Sequence, residues 1–350
     1  MRFGRVVAAI IWLTLLCVGC AMPRMPLGLG SPARIAVSDG WLAMGTFFEI
    51  EIRVRPGNER IARDFIAWAR EEIPRLERIY SRHDSDSELE ALNRTLAGEG
   101  ILTSGAQIDQ ELESLLFSGI EVWEGSGGAF DMTIGPLVEV WIDAVAEGRW
   151  PLVEELRAAK SRIGSEAFLL LGDGALEVLK TGIQIDLDGI SKGAVLDHLR
   201  GRFEEVLPAA AALFNFGESS IVAIGDPDGD GWRLEIRSRG ALGENGNVIR
   251  LRDQALAMSS SLGSVSEIAG ERVSHVIDPR TGSIIRDGVE AIVLADRAAL
   301  ADGWSTALLV IGANRAALRL LEKVGLEGNV LESTGRTIST EGWEQVLTQP

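Results

Sequence analysis

The chain carries little with which to cross-link itself, hold a soft metal or attract anions. Its only two cysteines, Cys17 and Cys20, lie at the start, so no disulfide staples the remainder of the 350 residues. Histidine is scarce, at His83, His198 and His275. There is no His-Glu-x-x-His, no cysteine pair at zinc spacing and no Walker-type loop ending in Lys-Ser/Thr. A metal here has to be a hard one held by oxygen. Lys and Arg together number 34 against 51 Asp and Glu, a formal net charge of −17. That balance excludes a nucleic-acid partner, since binding a phosphate backbone needs a surplus of cations. What is present is a 46% apolar composition with dispersed Gly and Pro, enough for one large core or two modest ones.

An apolar run from Val6 to Val18 follows Arg2 and Arg5. It is short for a membrane span and suited to a signal peptide. It closes on Cys17-Val18-Gly19-Cys20, which resembles a bacterial lipobox with Cys17 where a Leu is usual, and whose final Cys becomes the lipidated first residue. The expectation is therefore a signal peptide over 1–19, a lipidated Cys20 heading a tether over 20–39, and a folded domain over 40–350 that begins near Trp41. Pro23, Pro26, Gly28, Gly30, Ser31 and Pro32 mark the tether. Such a protein is exported and lipid-anchored to a bacterial membrane, facing the periplasm.

Phe48, Ile50, Ile52 and Val54 alternate with Glu49, Glu51 and Arg53, which predicts a half-buried strand. Ile61, Phe65, Ala69, Ile73 and Leu76 have helical spacing, with Pro74 expected to kink or break the helix. Ser87 and Glu90 suit a capping box, and a further helix carrying Ile108, Leu112, Leu115, Leu116 and Ile120 should end at Gly125, Gly127 and Gly128. Beyond Gly182 come short apolar runs at 183–187, 212–216, 221–224, 234–236 and 291–294, read as strands. Strands and helices do not alternate in βα units, so the fold class is α+β with mainly antiparallel sheet.

Three segments carry candidate chemistry. In Ala301 to Leu308, Asp302 stands where a helix should start, with Ser305 and Thr306 in its first turn. It is either an N-cap or, with those hydroxyls on one helical face, an oxygen site for Mg²⁺ on substrate phosphates. In Asp186 to Gly193 a strand turns into a helix, and Lys192 near the helix-start amides either closes a plain turn or faces a pyrophosphate. Ser274 to Gly282 reads as a strand entering a turn, with His275 either structural or a general base.

These segments, together with Met44-Gly45-Thr46, Asp86-Ser87-Glu88-Leu89 with Asn93, Gly128-Ala129-Phe130-Asp131 with Gly135-Pro136-Leu137, and the strand pair from Asn215 to Gly225, resemble the ApbE family of FAD:protein FMN transferases, in content and in order. The resemblance implies an ApbE-like, T-fold-related α+β fold of antiparallel sheet with packed helices. It also implies Mg²⁺-dependent transfer of the FMN moiety of FAD to a Thr hydroxyl of a target flavoprotein subunit in a membrane electron-transfer complex, with release of AMP. It places the FAD pocket at Met44, His83, Ala129, Phe130, Asp131, Asp186, Lys192, His275 and Ile277, the Mg²⁺ at the Gly189 carbonyl, Asp302, Ser305 and Thr306, and the catalytic base at His275. His83 stands where the family commonly has Tyr, Gly217-Glu218 replaces paired glycines, and Met258-Ser259-Ser260-Ser261 replaces a Thr-Ser-Gly-like segment. The other readings open from sequence are an FAD pyrophosphatase giving FMN and AMP, or a non-catalytic FAD-binding lipoprotein.

Overall fold

The computed structural model describes residues 33–98, 106–236, 247–263, 265–285 and 288–348. The signal peptide, Cys20 and the Pro-rich part of the expected tether lie outside them. A hairpin of β1 (Ile35–Ala43) and β2 (Thr46–Val54) leads to helices α1 (Glu59–Tyr80) and α2 (Glu88–Ala97), the short β3 (Ala106–Gln107), helices α3 (Gln110–Ser126), α4 (Gly135–Ala146) and α5 (Val153–Lys160), and strands β4 (Phe168–Gly172) and β5 (Ala175–Val178). Helix α6 (Ser191–Val206) precedes β6 (Ala211–Phe216), β7 (Ser220–Ile224), β8 (Trp232–Ile236), β9 (Asn247–Leu251), β10 (Gln254–Ser260), β11 (Val265–Ile268), β12 (Glu271–Ser274) and β13 (Val289–Ala295). Helices α7 (Ala298–Ile311) and α8 (Arg315–Lys323), strands β14 (Glu327–Glu332) and β15 (Thr337–Ser339), the short α9 (Trp343–Val346) and β16 (Leu347–Thr348) follow.

Eight strands form one sheet in the order β1-β2-β6-β7-β10-β13-β14-β15, antiparallel at every pairing. The α+β, mainly antiparallel class expected from sequence is the one observed. Phe48, Ile50, Ile52 and Val54 all face the main core, where Phe65 of α1, Phe203 of α6 and Trp304 of α7 cover one side of the sheet. On the other side, Ile221, Ala223, Leu256, Ile292 and Leu294 pack against Trp232, Ile249, Leu251 and Trp343 of the small β8-β9-β16 sheet and α9. Central strands covered on both sides lose polar alternation, and β7 is buried at all five positions.

Local signals account for the ends of the elements. Ser87 accepts the Glu90 amide at 3.0 Å, but the Glu90 carboxylate takes the Asn93 side chain at 3.0 Å, so only half of the capping box forms. Helix α3 stops at Gly127, which is left-handed at φ 63°. Three expectations need correction. The first strand begins at Ile35, upstream of Trp41, and escaped detection because as an edge strand it is mostly exposed. Helix α1 runs through Pro74, with Ile73 and Leu76 both buried in the core. The 183–187 run is not a ladder strand. Its backbone is instead paired by the Asn93 amide at Ile185 (2.7 and 3.0 Å), by Met132 O at Asp186 N (2.7 Å), and by Gly135 N at Gln184 O (3.1 Å).

Candidate active site

The site is built where α6 crosses α7. A Cβ on Gly193 would lie 2.3 Å from Ala298 O and 2.7 Å from Ala299 Cα, so only a residue without a side chain lets the two backbones meet. One turn along α6, the Asp197 carboxylate accepts the Ala298 and Ala299 amides at 2.7 and 2.9 Å. A side chain of one helix thus caps the start of the next and fixes its register. Burial raises the Asp197 carboxyl, and those two amides oppose the shift.

This displaces Asp302 from its expected place. Helix α7 starts at Ala298, so Asp302 lies inside the helix, not at its cap, and Ser305 and Thr306 follow one turn on. Asp302 is only 5% exposed. Its Oδ2 accepts the Gly193 amide at 3.0 Å and its Oδ1 the Ser220 hydroxyl at 3.2 Å. Burial pushes its carboxyl up, while the Lys192 ammonium and those hydrogen bonds pull it down. The α6 amides expected to face a pyrophosphate are already engaged, Gly193 N with Asp302 and Ser191 N with Leu187 O at 2.9 Å. Lys192, half-buried beside Asp302, remains as the cation of the group.

Ser305 and Thr306 part company. Ser305 Oγ is fully buried, donates to Asp302 O at 2.8 Å and lies 2.6 Å from Ser259 Oγ, which makes it a brace between α7 and β10. Thr306 Oγ1 instead lies 3.5 Å from Gly189 O. A Cβ at Gly189 would sit 3.3 Å from both Thr306 Oγ1 and Phe130 Cε2, so this glycine brings the turn, the helix and the Phe130 ring together. Among the described residues no three His, Cys, Asp or Glu side chains converge on a metal position. The group offers the Asp302 carboxylate, the Thr306 hydroxyl and the Gly189 carbonyl it contacts, an all-oxygen donor set that fits a hard divalent cation and no soft one.

The other sequence-predicted residues surround this group or lie apart from it. Asp186 pairs with Arg82, both side chains being nearly buried, and its Oδ1 accepts the Asp188 amide at 2.9 Å. Burial and then Asp188 raise its carboxyl, against the pull of Arg82. Asp186 thereby shapes the 186–189 turn. His83 is exposed beside the same turn, with Nε2 3.4 Å from Asp188 Oδ2. Ala129 and Phe130 are buried, and Asp131 Oδ1 accepts from Thr133 N (2.9 Å), Thr133 Oγ1 (2.7 Å) and Ser165 Oγ (2.8 Å), pegging the turn that aims Phe130 at Gly189. The turn carrying Asp278 and Arg280, joined by hydrogen bonds of 2.9 and 3.0 Å, adjoins Gly128 through the Arg280 side chain. His275 is exposed one residue past the end of β12, not within a strand, and Ile277 is buried in a separate apolar cluster with Leu137 and Trp141. Met44 forms the left-handed β1–β2 turn with Gly45, at φ 48° and 71°.

Sequence reasoning missed Arg82, Asp197, Ser220 and Ser259. Asp197 carried a weak signal, one helical turn beyond Gly193, but Arg82, Ser220 and Ser259 reach the site only through tertiary packing.

An antiparallel α+β fold here gathers a buried carboxylate, a lysine and a turn carbonyl at a helix crossing, side-chain chemistry suited to phosphate oxygens and a hard cation. The sequence model of the ApbE family matches residues 44–329. Over 350 residues the chain is 27% identical to the FAD:protein FMN transferase of Klebsiella pneumoniae, covering 97% of this chain and 95% of that protein. In fold it is similar to the apo flavinyl transferase ApbE of Pseudomonas stutzeri, with a TM-score of 0.76 at 24% identity over 91% of this chain and 98% of that one. It is likewise similar to the flavin transferase ApbE of Vibrio cholerae, with a TM-score of 0.74 at 22% identity over 90% of this chain and 100% of that one. The chain belongs to the ApbE family.

Proposed function

We propose that this chain is an FAD:protein FMN transferase that moves the FMN half of FAD, with Mg²⁺, onto a Thr hydroxyl of a target flavoprotein and releases AMP. The observation that carries the reading is the meeting of Asp302, Lys192, Thr306 and the Gly189 carbonyl at the α6–α7 crossing. The relatives named as transferases support it from a separate direction. In the reaction the acceptor oxygen forms a bond to the FMN phosphorus, the bond from that phosphorus to the AMP oxygen breaks, and the hydroxyl proton passes to a base. Lys192 neutralises phosphate charge, and the rigid crossing keeps it in line with the Gly189 turn. Asp302, Thr306 and Gly189 O would hold Mg²⁺, which when bound supplies charge neutralisation on the pyrophosphate. His275, exposed just past the end of β12, serves as the base that takes the acceptor proton.

The same proposal has the enzyme on a bacterial membrane through a lipid at Cys20, facing the periplasm and membrane-bound electron-transfer subunits, a reading supported by the Arg2 and Arg5 start, the apolar run and the lipobox-like Cys17-Val18-Gly19-Cys20. Among the described residues no helix is long and apolar enough to cross a membrane. The test uses the chain starting after Cys20 with FAD and Mg²⁺, with and without a Thr-containing acceptor, following AMP and acceptor mass together. An acceptor that gains FMN as AMP appears supports the transferase. AMP and free FMN without acceptor gain point to a pyrophosphatase, and intact FAD to a binding protein.

A further inference from the structure

Arg82 lies just past the end of α1, on a stretch of chain that the start of α2 holds in place. The buried Ser87, N-cap of α2, donates its hydroxyl to Ser81 O at 2.6 Å, and the His83 amide donates to Ser81 Oγ at 3.1 Å. The Arg82 backbone is thereby pinned between two helices. Its guanidinium pairs with the nearly buried Asp186.

Asp186 divides its carboxylate between two tasks. One oxygen takes Arg82, and the other accepts the Asp188 amide at 2.9 Å within the turn that carries Gly189. No strand ladder supports that turn. Its backbone is anchored by Asp186 N on Met132 O at 2.7 Å, and by Ile190 N and Ser191 N on Leu187 O at 3.0 and 2.9 Å. Gly189 has no side chain with which to seat its own carbonyl, so the bracing of its neighbours orients that oxygen, 3.5 Å from Thr306 Oγ1. The second tie between the same two segments, His83 with Asp188 at 3.4 Å, is exposed to solvent and contributes little. We propose that Arg82 is a positioning residue, which through Asp186 holds the 186–189 turn so that the Gly189 carbonyl stays aligned with Thr306 and Asp302 as a cation ligand. The proposal rests on the metal assignment above.

The sign of one effect separates positioning from simple charge. Asp186 and Gly189 are three residues apart, within about 10 Å even in extended chain, so the paired guanidinium is close enough to repel a divalent cation. Deleting its charge alone should tighten cation binding. Deleting an outer partner that orients a ligand should instead weaken it about tenfold.

The test titrates Mn²⁺, a hard divalent ion read by EPR, into the full chain and its variants, with thermal melts alongside. Arg82→Met should weaken Mn²⁺ binding about tenfold and, by leaving Asp186 buried without its partner, lower Tm. Arg82→Met combined with Asp186→Asn removes one charge of each sign, while the Asn oxygen still accepts the Asp188 amide. In that double variant Tm should return and the tenfold loss of Mn²⁺ affinity should remain. Unchanged or tighter Mn²⁺ binding in the variants overturns the proposal and leaves the metal assignment standing. Recovery of affinity together with Tm in the double variant also overturns it, because Arg82 would then serve stability alone. A native chain that binds no Mn²⁺ overturns the metal assignment and the proposal with it.

Discussion

Gly193→Ala puts the α6–α7 crossing to a direct test. The new methyl would lie 2.3 Å from Ala298 O, about 1 Å short of an ordinary contact, and the neighbouring atoms are backbone that cannot swing aside. The helices must separate, which stretches the Gly193 N to Asp302 Oδ2 bond of 3.0 Å and the Asp197 cap on α7. Overpacking costs about 1–3 kcal/mol and a weakened hydrogen bond to a buried carboxylate about 1–2 more, for a total of about 3 kcal/mol. For a body of this size that lowers Tm by about 4–5 °C. A shift of about 1 Å between Asp302 and the Gly189 turn should cut FMN transfer about a hundredfold. Gly201→Ala on the same helix is the control, because nothing lies within 4 Å of its Cβ position. It should raise stability by about 0.5–1 kcal/mol through helix propensity alone. Thermal melts with turnover assays on both variants decide the matter. If Gly193→Ala keeps native Tm and turnover, the crossing does not set the site.

The remaining predictions concern single residues. Asp302→Asn preserves shape but removes the carboxylate, and metal-dependent turnover should fall by more than about a thousandfold; near-native turnover would remove Asp302 as a metal ligand. His275→Ala should lower kcat more than FAD affinity, and an unchanged kcat excludes it as the base. Asn93→Leu strips the Ile185 N–H and C=O of their partners, so chemical denaturation should show a loss of about 3 kcal/mol, and a loss under about 1 kcal/mol would mean that the 183–187 segment is held by other bonds. Glu72 is held below its ordinary value by Arg75, and Glu111 is held down to about 2 by its hydrogen bond with Asp109 and by Arg75. Both folded values lie below the unfolded ones. The stability that Arg75 gives them is therefore full above pH 4.5 and is lost as pH falls toward 2, whereas the part of the Glu111 shift that comes from Asp109 is mirrored by the raised Asp109 carboxyl. Arg75→Met should flatten this acid limb, and parallel stability curves for mutant and native chains would refute the assignment.

The sequence by itself determined the fold class, the β2 alternation, the glycine stop of α3 and the set of segments that carry chemistry. Each of those is written in neighbouring residues, as a period of two, a left-handed glycine or an ordered series of short motifs. Through the family resemblance it also marked Gly189, Asp302, Ser305 and Thr306 as a metal group, with Lys192 in the flavin pocket.

Only the tertiary structure decided how that group is held. Helix α7 starts four residues before Asp302 because a carboxylate from α6 caps it, and no local pattern announces a cap from another helix. The 183–187 run looks like a strand, yet its backbone partners are a side-chain amide and two distant turns. Ser305 matches Thr306 in sequence terms, but its contact with Ser259 makes it a brace between α7 and β10. The physical reason is common to all three. Local propensity fixes what a segment can form, whereas buried polar groups must find partners wherever the packed chain places them, and those partners were distant in sequence.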